Sequence, residues 1–468
     1  MDGLFCELNK QSSVPLYEQL YSYIKKEIIE GRIEFGTKLP SKRKLSEFLK
    51  VSQNTVETAY EQLLAEGYIE VIARKGFFVQ TYEDLQFVSP TIQQRNTDKL
   101  EMKEVIDYHF HPSQIDSTFF PFDKWRKHMK NALTKSQHHL LLLGDYRGEY
   151  ELRYEISQYI YHSRGVICKP EQIIIGAGVE VLLQQLVLLL GSSQMYGVED
   201  PGYHVILKIL KHYPNKATAL EMDDKGISIK HLLQSKLDVL YLTPSHHFPY
   251  GTVLSINRRK RILEWAEEKS HRYIIEDDYD SEFRYSGKTI PSLHSMDRSE
   301  KVIYLGSFSK SLMPSARISY MVLPNTLLHS YQEQFNYFHQ TVSRIDQVVL
   351  AEFMKNGDFE KHLNRMKKIY RRKLERVKSI LKPYEQDLTI VGEQSGLHIV
   401  LVVHNGLTEK ELIDKAKEKN LKIYPLSSYS MKNSSTTPPK FVIGFASIQE
   451  EKLEVAFHSL LTAWGFLE

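Results

Sequence analysis

Apolar residues near the start of the chain recur at helical spacing. Leu16, Leu20, Tyr23, Ile24, Ile28 and Ile29 share one stripe behind Pro15, and Gly31 closes the stretch, which predicts an amphipathic helix. A second helix is predicted from Ser41, an N-cap residue after Leu39-Pro40, to near Lys50. Val51-Ser52 makes a tight turn, and a third helix covers Gln53–Glu66 until Gly67 ends it. The pattern then becomes alternating. Tyr68–Ala73 and Phe77–Gln80 read as two strands around Arg74-Lys75-Gly76, a hairpin with a basic tip.

Residues 81–104 lose both periods. The stretch is polar, contains Pro90 and has too few apolar positions for a core, so a linker is expected. From 105 onward short apolar runs alternate with amphipathic helical stretches. The runs are Ile173–Ile175, Met195–Val198, Val239–Leu242, Tyr273–Ile275, Val302–Leu305 and Ile318–Leu323. They predict an α/β body with a mainly parallel sheet covered by helices. A long, basic helical stretch over Gly357–Lys382 follows, its charged face read as solvated. Three further strand candidates, Leu397–Val403, Leu421–Tyr424 and Phe441–Phe445, predict a smaller α+β subdomain over residues 355–468.

Composition narrows the class. At 468 residues, 42% hydrophobic and 25% charged, the chain is too long for one core and ordinary for globular protein. No apolar run has the length of a membrane span and no signal peptide is read at Met1–Leu4, so no membrane partner is expected. Cys6 and Cys168 lack CxxC or metal-ligand spacing, which argues against a disulfide framework, offers no metal site and fits a cytoplasmic location. The net charge of +3 says little about nucleic acid. Residues 1–80 carry eleven Lys and Arg against eleven Asp and Glu, so a DNA-binding face must come from sorting charge to one side.

Two short helices joined by a brief turn have the form of a helix-turn-helix, with the start of the second facing the major groove. The segments VPLYEQLY, GTKLPSKRKLSEFLKVSQNTVETAYEQLLAEGY and RKGFFV together resemble the winged helix-turn-helix of the GntR family over residues 14–80. Residues 1–80 are thus expected to be a DNA-binding domain with a double-stranded operator as partner. The resemblance implies that Ser41 and Arg43 contact DNA and that Gln53, Asn54 and Thr55 read bases. It brings the wing tip at Lys75 and Gly76 to the minor groove. Many family members have arginine where Gln53 stands. Glutamine favours adenine where arginine favours guanine.

In the body, polar residues gather just after the apolar runs, where open α/β folds place ligands. Gly176-Ala177-Gly178 opens a helix at Glu180 with residues small enough for backbone N–H groups to approach a phosphate. Pro201-Gly202-Tyr203 offers an aromatic ring for stacking. Pro244–Gly251 is a turn-rich loop. Glu276-Asp277-Asp278-Tyr279-Asp280 concentrates acids beside an apolar strand, which is costly unless they bind something. Ser307-Phe308-Ser309-Lys310, followed by Arg317, combines an amine for an aldehyde with hydroxyls and a guanidinium for a phosphate.

Residues 105–468 resemble the fold-type-I pyridoxal-phosphate aminotransferases. With its head, essentially the whole chain resembles the MocR/GabR family of bacterial regulators, through EDDYDSEF, FSKSLMPSARISYMVLP and TPSHHFPYGT. The resemblance implies pyridoxal 5'-phosphate as cofactor and a homodimer. It implies that Lys310 forms the internal aldimine and exchanges it for an amino effector. Asp277 is expected to pair with the pyridine nitrogen, Tyr279 to bond the phenolic oxygen and Tyr203 to stack on the ring. Gly178, Ser307, Ser309 and Arg317 are expected to hold the phosphate.

Three departures bear on chemistry. Phe248 stands where aminotransferases have an asparagine for the phenolic oxygen. Val179 and Glu180 stand where the phosphate turn commonly has threonine and glutamine. Glu180 is either unfavourable beside phosphate or turned outward as an early-helix acid. Ser447 replaces an arginine that clamps a carboxylate in many relatives, and Val205 replaces another found in a member that responds to γ-aminobutyrate. γ-Aminobutyrate is therefore a poor candidate effector. The preferred expectation is a transcriptional regulator that senses pyridoxal phosphate itself or an amino compound through Lys310, with at most weak transaminase activity. An active aminotransferase with a DNA-binding head is the alternative. A scaffold that has lost its cofactor is the third reading.

Overall fold

The computed structural model describes residues 8–10, 12–80, 106–191, 193–214, 216–223, 225–287, 290–431 and 437–467. The linker expected at 81–104 lies outside them. The chain divides into two compact units, Met1–Lys103 and Glu104–Glu468.

The first unit contains helices α1 (Leu16–Ile29), α2 (Lys42–Leu49) and α3 (Gln53–Ala65), then an antiparallel hairpin, β1 (Ile69–Ile72) and β2 (Gly76–Val79). The helices begin where capping side chains stand. The Ser41 hydroxyl accepts from the Lys44 N–H, and the Ser52 hydroxyl from the Thr55 N–H. Leu20, Ile24, Leu45, Val56, Tyr60, Leu63 and Ile69 bury into one core. Lys38 adds an antiparallel bridge to Phe78 that the sequence pattern did not suggest.

The second unit is built on one eight-stranded sheet. Its strands are β3 (Ile173–Gly176), β4 (Met195–Asp200), β5 (Lys216–Asp223), β6 (Gly226–Ile227), β7 (Val239–Leu242), β8 (Tyr273–Asp278), β9 (Val302–Ser307) and β10 (Ser319–Val322). They lie in the order β3-β10-β9-β8-β7-β4-β5-β6. β9, β8, β7, β4 and β5 are parallel neighbours, while β10 runs antiparallel to both β9 and β3. The apolar runs make these strands because both faces are covered by helices. In β3, Ile174 packs with Leu182 and Leu186 on one face, while Ile173 and Ile175 pack with Leu152 and Ile156 on the other. β5 and β6 were not anticipated. β5 alternates exposed and part-buried positions around one buried residue, Leu220, in KATALEMD, so it lacks the continuous apolar run of its neighbours.

Helix α4 (Val179–Leu190) follows β3 directly, and α5 (Asp358–Leu381) leads into a smaller antiparallel sheet. That sheet contains β11 (Leu388–Val391), β12 (His398–Val403), β13 (Tyr424–Pro425) and β14 (Lys440–Gly444), in the order β11-β12-β14-β13. The single strand expected over Leu421–Tyr424 is divided. Leu421 and Lys422 pair in parallel with Tyr108 and His109, whereas Tyr424 pairs with Val442. Leu421 and Ile423 still bury into the same core, so the apolar pattern is obeyed while the backbone serves two sheets. On α5, Lys361, Arg365, Lys368, Arg372 and Arg376 are exposed, as a solvated basic face requires. Lys373 is the exception and is fully buried. Its Nζ lies 2.7 Å from Asp116 Oδ2 and donates to the carbonyls of Ala446 and Ile448 at 2.7 and 2.6 Å. A charge removed from water requires such a complete set of partners.

Candidate functional site

Gly178, Tyr203, Asp277, Tyr279, Ser307, Ser309, Lys310 and Arg317 all line one cleft of about 220 Å³. All but Arg317 come from the β3–α4 junction and from positions at or just after the C-terminal ends of β4, β8 and β9, where parallel strands of an open sheet present their ligand-binding residues. Arg317 stands just before β10. These residues are far apart in sequence, and the sheet brings them together.

Strand alternation sorts the acidic run after β8. Successive side chains point to opposite faces, so Asp277 and Tyr279 turn into the cleft while Glu276 and Asp278 turn away. The outward acids are satisfied by the protein. Glu276 accepts from the N–H groups of Leu293 and His294 at 2.8 Å each. Asp278 is paired to Arg164 Nε at 2.6 Å and accepts from the Tyr304 hydroxyl at 2.6 Å. Asp277 differs. Its Oδ2 accepts from the Tyr241 hydroxyl, but its Oδ1 is buried without a hydrogen-bond partner. Burial, partly offset by Tyr241, pushes this carboxyl up to about 7. A cationic N–H donor at Oδ1 would satisfy the oxygen and reverse the shift.

Among the described residues, Lys310 is the only lysine lining the cleft. Its Nζ donates to the Pro112 carbonyl at 3.2 Å. Burial pushes the amine down to about 8, so an appreciable fraction is uncharged near neutrality. The Tyr279 hydroxyl lies 2.9 Å from His246 Nδ1, which also lies 2.7 Å from Asp280 Oδ1. An ionised Asp280 can only accept, so it claims the Nδ1 proton. The Tyr279 O–H is then left to donate elsewhere.

At the other end of the cleft, three hydroxyls form a relay. Ser319 donates to Ser307, and Ser307 to Ser309, each at 3.0 Å. Arg317 sits beside them with φ 51, and Gly178 precedes α4 with φ 103. A Cβ on Gly178 would lie 2.1 Å from Arg317 Nη2, so only glycine allows this approach. Glu180, whose direction the sequence left open, turns into the cleft rather than outward. Its Oε2 is 2.7 Å from Arg317 Nη2. Burial foremost, and then the charge of Glu180, raise the Tyr203 phenol.

Phe248 also lines the cleft, edge-on to Tyr203, Tyr279 and Tyr429 with ring centroids at 6.3, 6.1 and 5.0 Å. It offers no hydrogen bond there. Val205 packs against the apolar core, and Ser447 is half-buried away from the cleft lining. Four contributors escaped sequence reasoning. Thr243 lines the cleft just after an apolar strand, and Tyr241, buried in the core beneath, reaches the site only through its hydrogen bond to Asp277. Thr243 donates to Glu199 Oε2 through its N–H and hydroxyl, at 2.9 and 2.8 Å. Ser319 lies two residues beyond Arg317 on β10. His246 has a legible signal, a histidine in the TPSHHFPYGT loop, but its partner Asp280 lies 34 residues away.

In the first unit, Gln53 and Asn54 are exposed at the start of α3, and Thr55 is half-buried. Arg43 and Lys75 are exposed, Ser41 caps α2, and Gly76 opens β2. Ser41 and Arg43 lie at the start of α2, Gln53 to Thr55 at the start of α3, and Lys75 and Gly76 at the hairpin. Among the described residues, no helix is long and apolar enough to cross a membrane, and no group of three or more His, Cys, Asp and Glu could hold a metal.

Comparison with known proteins gives this arrangement a family. Residues 113–460 match the family described as Aminotransferase class I and II, and residues 16–79 match the gntR family of bacterial regulatory proteins. The HTH-type transcriptional regulator YdeL of Bacillus subtilis is 45% identical, with 98% of each chain covered. MocR of Rhizobium meliloti, a probable rhizopine catabolism regulatory protein, is 30% identical over 98% of this chain and 96% of its own. PdxR of Corynebacterium glutamicum, a pyridoxine biosynthesis transcriptional regulator, is 29% identical over 95% of both. Among solved structures, LysN of Thermus thermophilus, an α-aminoadipate aminotransferase complexed with N-(5'-phosphopyridoxyl)-L-leucine, superposes with a TM-score of 0.66. It covers 77% of this chain and 92% of its own at 22% identity, which establishes a common fold. A GntR-type head implies DNA binding. The chain belongs to the MocR-type family of HTH transcriptional regulators, which join a GntR-type head to a body of the class I and II aminotransferase fold.

Proposed function

We propose that this protein regulates transcription through a body that binds pyridoxal 5'-phosphate and senses either that cofactor or an amino compound captured with it. The observation that carries the reading is the buried, unpartnered Oδ1 of Asp277 in a cleft that also holds one part-buried lysine amine. Pyridoxal phosphate supplies a ring nitrogen that can be protonated, an aldehyde that condenses reversibly with amines, and a phosphate. Asp277 would hold the ring N–H, and Tyr203 would lie against the ring. Tyr279, its hydroxyl proton not taken by His246, would donate to the phenolic oxygen. Gly178, Ser307, Ser309 and Arg317 would hold the phosphate. Lys310 would take the aldehyde and yield it to an incoming amine.

Phe248 favours a sensor over an efficient transaminase, because no amide reaches the phenolic oxygen from that side. The name of PdxR, which ties a relative to pyridoxine biosynthesis, favours sensing of the cofactor itself. In the head, Ser41 and Arg43 would contact DNA. Gln53, Asn54 and Thr55 would read bases, and Lys75 and Gly76 would approach the minor groove. The reading requires that pyridoxal phosphate, alone or with an amine, change the protein's affinity for its own upstream DNA. Turnover of amino donor and keto acid at an ordinary enzymatic rate, with no effect on DNA, would favour the aminotransferase instead.

Capture by Lys310 carries a pH signature. Burial lowers the amine to about 8, and only the uncharged amine attacks an aldehyde. The rate constant for cofactor capture should therefore rise roughly tenfold from about pH 7 to about pH 9 and then level off. Stopped-flow absorbance measures it, and a flat profile would count against a buried amine as the nucleophile.

A second copy of the chain completes the proposal. Leu141, Leu142 and Leu143 are 76%, 66% and 76% exposed, an apolar run that a monomer would leave in water. A homodimer that covers it should sediment as a dimer, and Leu142→Asp should shift the equilibrium toward monomer. A wild-type protein that sediments as a monomer would remove this part of the proposal.

A further inference from the structure

We infer that the carboxylate of Glu180 is a built-in occupant of the anion seat in the cleft, which a phosphate must displace in order to enter. The inference rests on the proposed cofactor role of the cleft and concerns how that role is regulated.

Three observations place the carboxylate. Its Oε2 lies 2.7 Å from Arg317 Nη2, on the only guanidinium lining the cleft among the described residues. The same oxygen would lie 2.6 Å from a Cβ built on Gly178, so the side chain folds back over the first turn of its own helix. That turn presents N–H groups without helical partners, and its dipole attracts negative charge. Arg317, the hydroxyl relay of Ser307, Ser309 and Ser319, and the start of α4 thus converge on a place an anion should fill. Glu180 fills it.

The seat cannot hold both anions on one guanidinium without repulsion. Glu180 is nevertheless free to leave. Its side chain is 36% exposed and that of Arg317 is 50% exposed, so the pair is partly solvated and weak. The carboxylate can swing to solvent when a phosphate takes its place. Glu180 therefore acts as a movable competitor that lowers cofactor affinity without abolishing it. A regulator that responds to cofactor concentration needs its affinity set near the working level, and this residue supplies the adjustment. Glutamine keeps the shape and removes the competing charge.

The test is a spectrophotometric titration of cofactor-free, full-length protein with pyridoxal phosphate, and in parallel with pyridoxal, which lacks the phosphate. Wild-type and Glu180→Gln proteins are compared. Glu180→Gln should bind pyridoxal phosphate about two- to fivefold more tightly, the scale of an exposed ion pair that no longer has to be broken. It should bind pyridoxal as wild type does, since that ligand does not use the seat. Equal or weaker binding of pyridoxal phosphate by Glu180→Gln overturns the inference while leaving the cofactor role intact. A gain shared equally by pyridoxal also overturns it, because the effect would not then be phosphate competition. If neither protein binds pyridoxal phosphate, the cofactor role fails and the inference fails with it.

Discussion

Lys310→Ala should abolish the visible absorbance that pyridoxal phosphate acquires on incubation with the protein. Among the described residues no other lysine lines the cleft, so none of them offers a second amine for the covalent bond. The burial that pushes Lys310 down to about 8 makes it more nucleophilic than a surface lysine, which is charged at neutral pH. Noncovalent contacts from Asp277, the serines and Arg317 would remain. The variant should therefore still retain some cofactor, released on dialysis far faster than from wild type. That residual binding separates loss of the amine from loss of the fold. A variant that keeps the band unchanged would show that the covalent partner lies elsewhere.

Arg43→Ala should weaken operator binding by about 5- to 150-fold, the cost of about 1–3 kcal/mol expected for a lost guanidinium contact to DNA. The Arg43 side chain is 79% exposed on α2, and its Nε lies 3.0 Å from Glu47 Oε1, itself 64% exposed. Such an exposed pair on neighbouring turns contributes little, so Arg43 is available to DNA at small cost. Binding measured across salt concentrations distinguishes the kind of contact. Loss of a phosphate contact lowers the salt dependence by about one unit of slope, whereas loss of a base contact relaxes sequence preference at one position. Affinity unchanged at moderate salt would contradict the docking proposed for the head.

Much of this molecule was legible in its sequence because its chemistry follows its strands. The apolar runs that form parallel strands end in residues that the sheet delivers to one edge, so Lys310, Asp277 and Tyr279 could be marked from their place after those runs. The head was legible for a different reason. Its caps, turn and hairpin are local signals, and Ser41 and Ser52 lie where the helices begin. What escaped depends on contacts between distant segments. An early-helix glutamate has equal access to solvent and to the cleft, and the guanidinium of Arg317, 137 residues later, draws Glu180 inward. Lys373 looked like one more charge on a basic helix until Asp116 and two carbonyls enclosed it. The acids at 276 and 278 seemed costly together with Asp277, yet Arg164 and backbone N–H groups satisfy them. Asp277 alone is left facing the cleft with an oxygen to spare.

The most direct test of the regulator reading is a gel shift of cofactor-free, full-length protein on its own upstream DNA. It is run with and without pyridoxal phosphate and repeated with an amine panel. Wild-type DNA affinity should change with the cofactor, alone or together with an amine, and the change should vanish in Lys310→Ala. DNA affinity indifferent to cofactor and amines alike, or a response preserved in Lys310→Ala, would contradict regulation through this cleft.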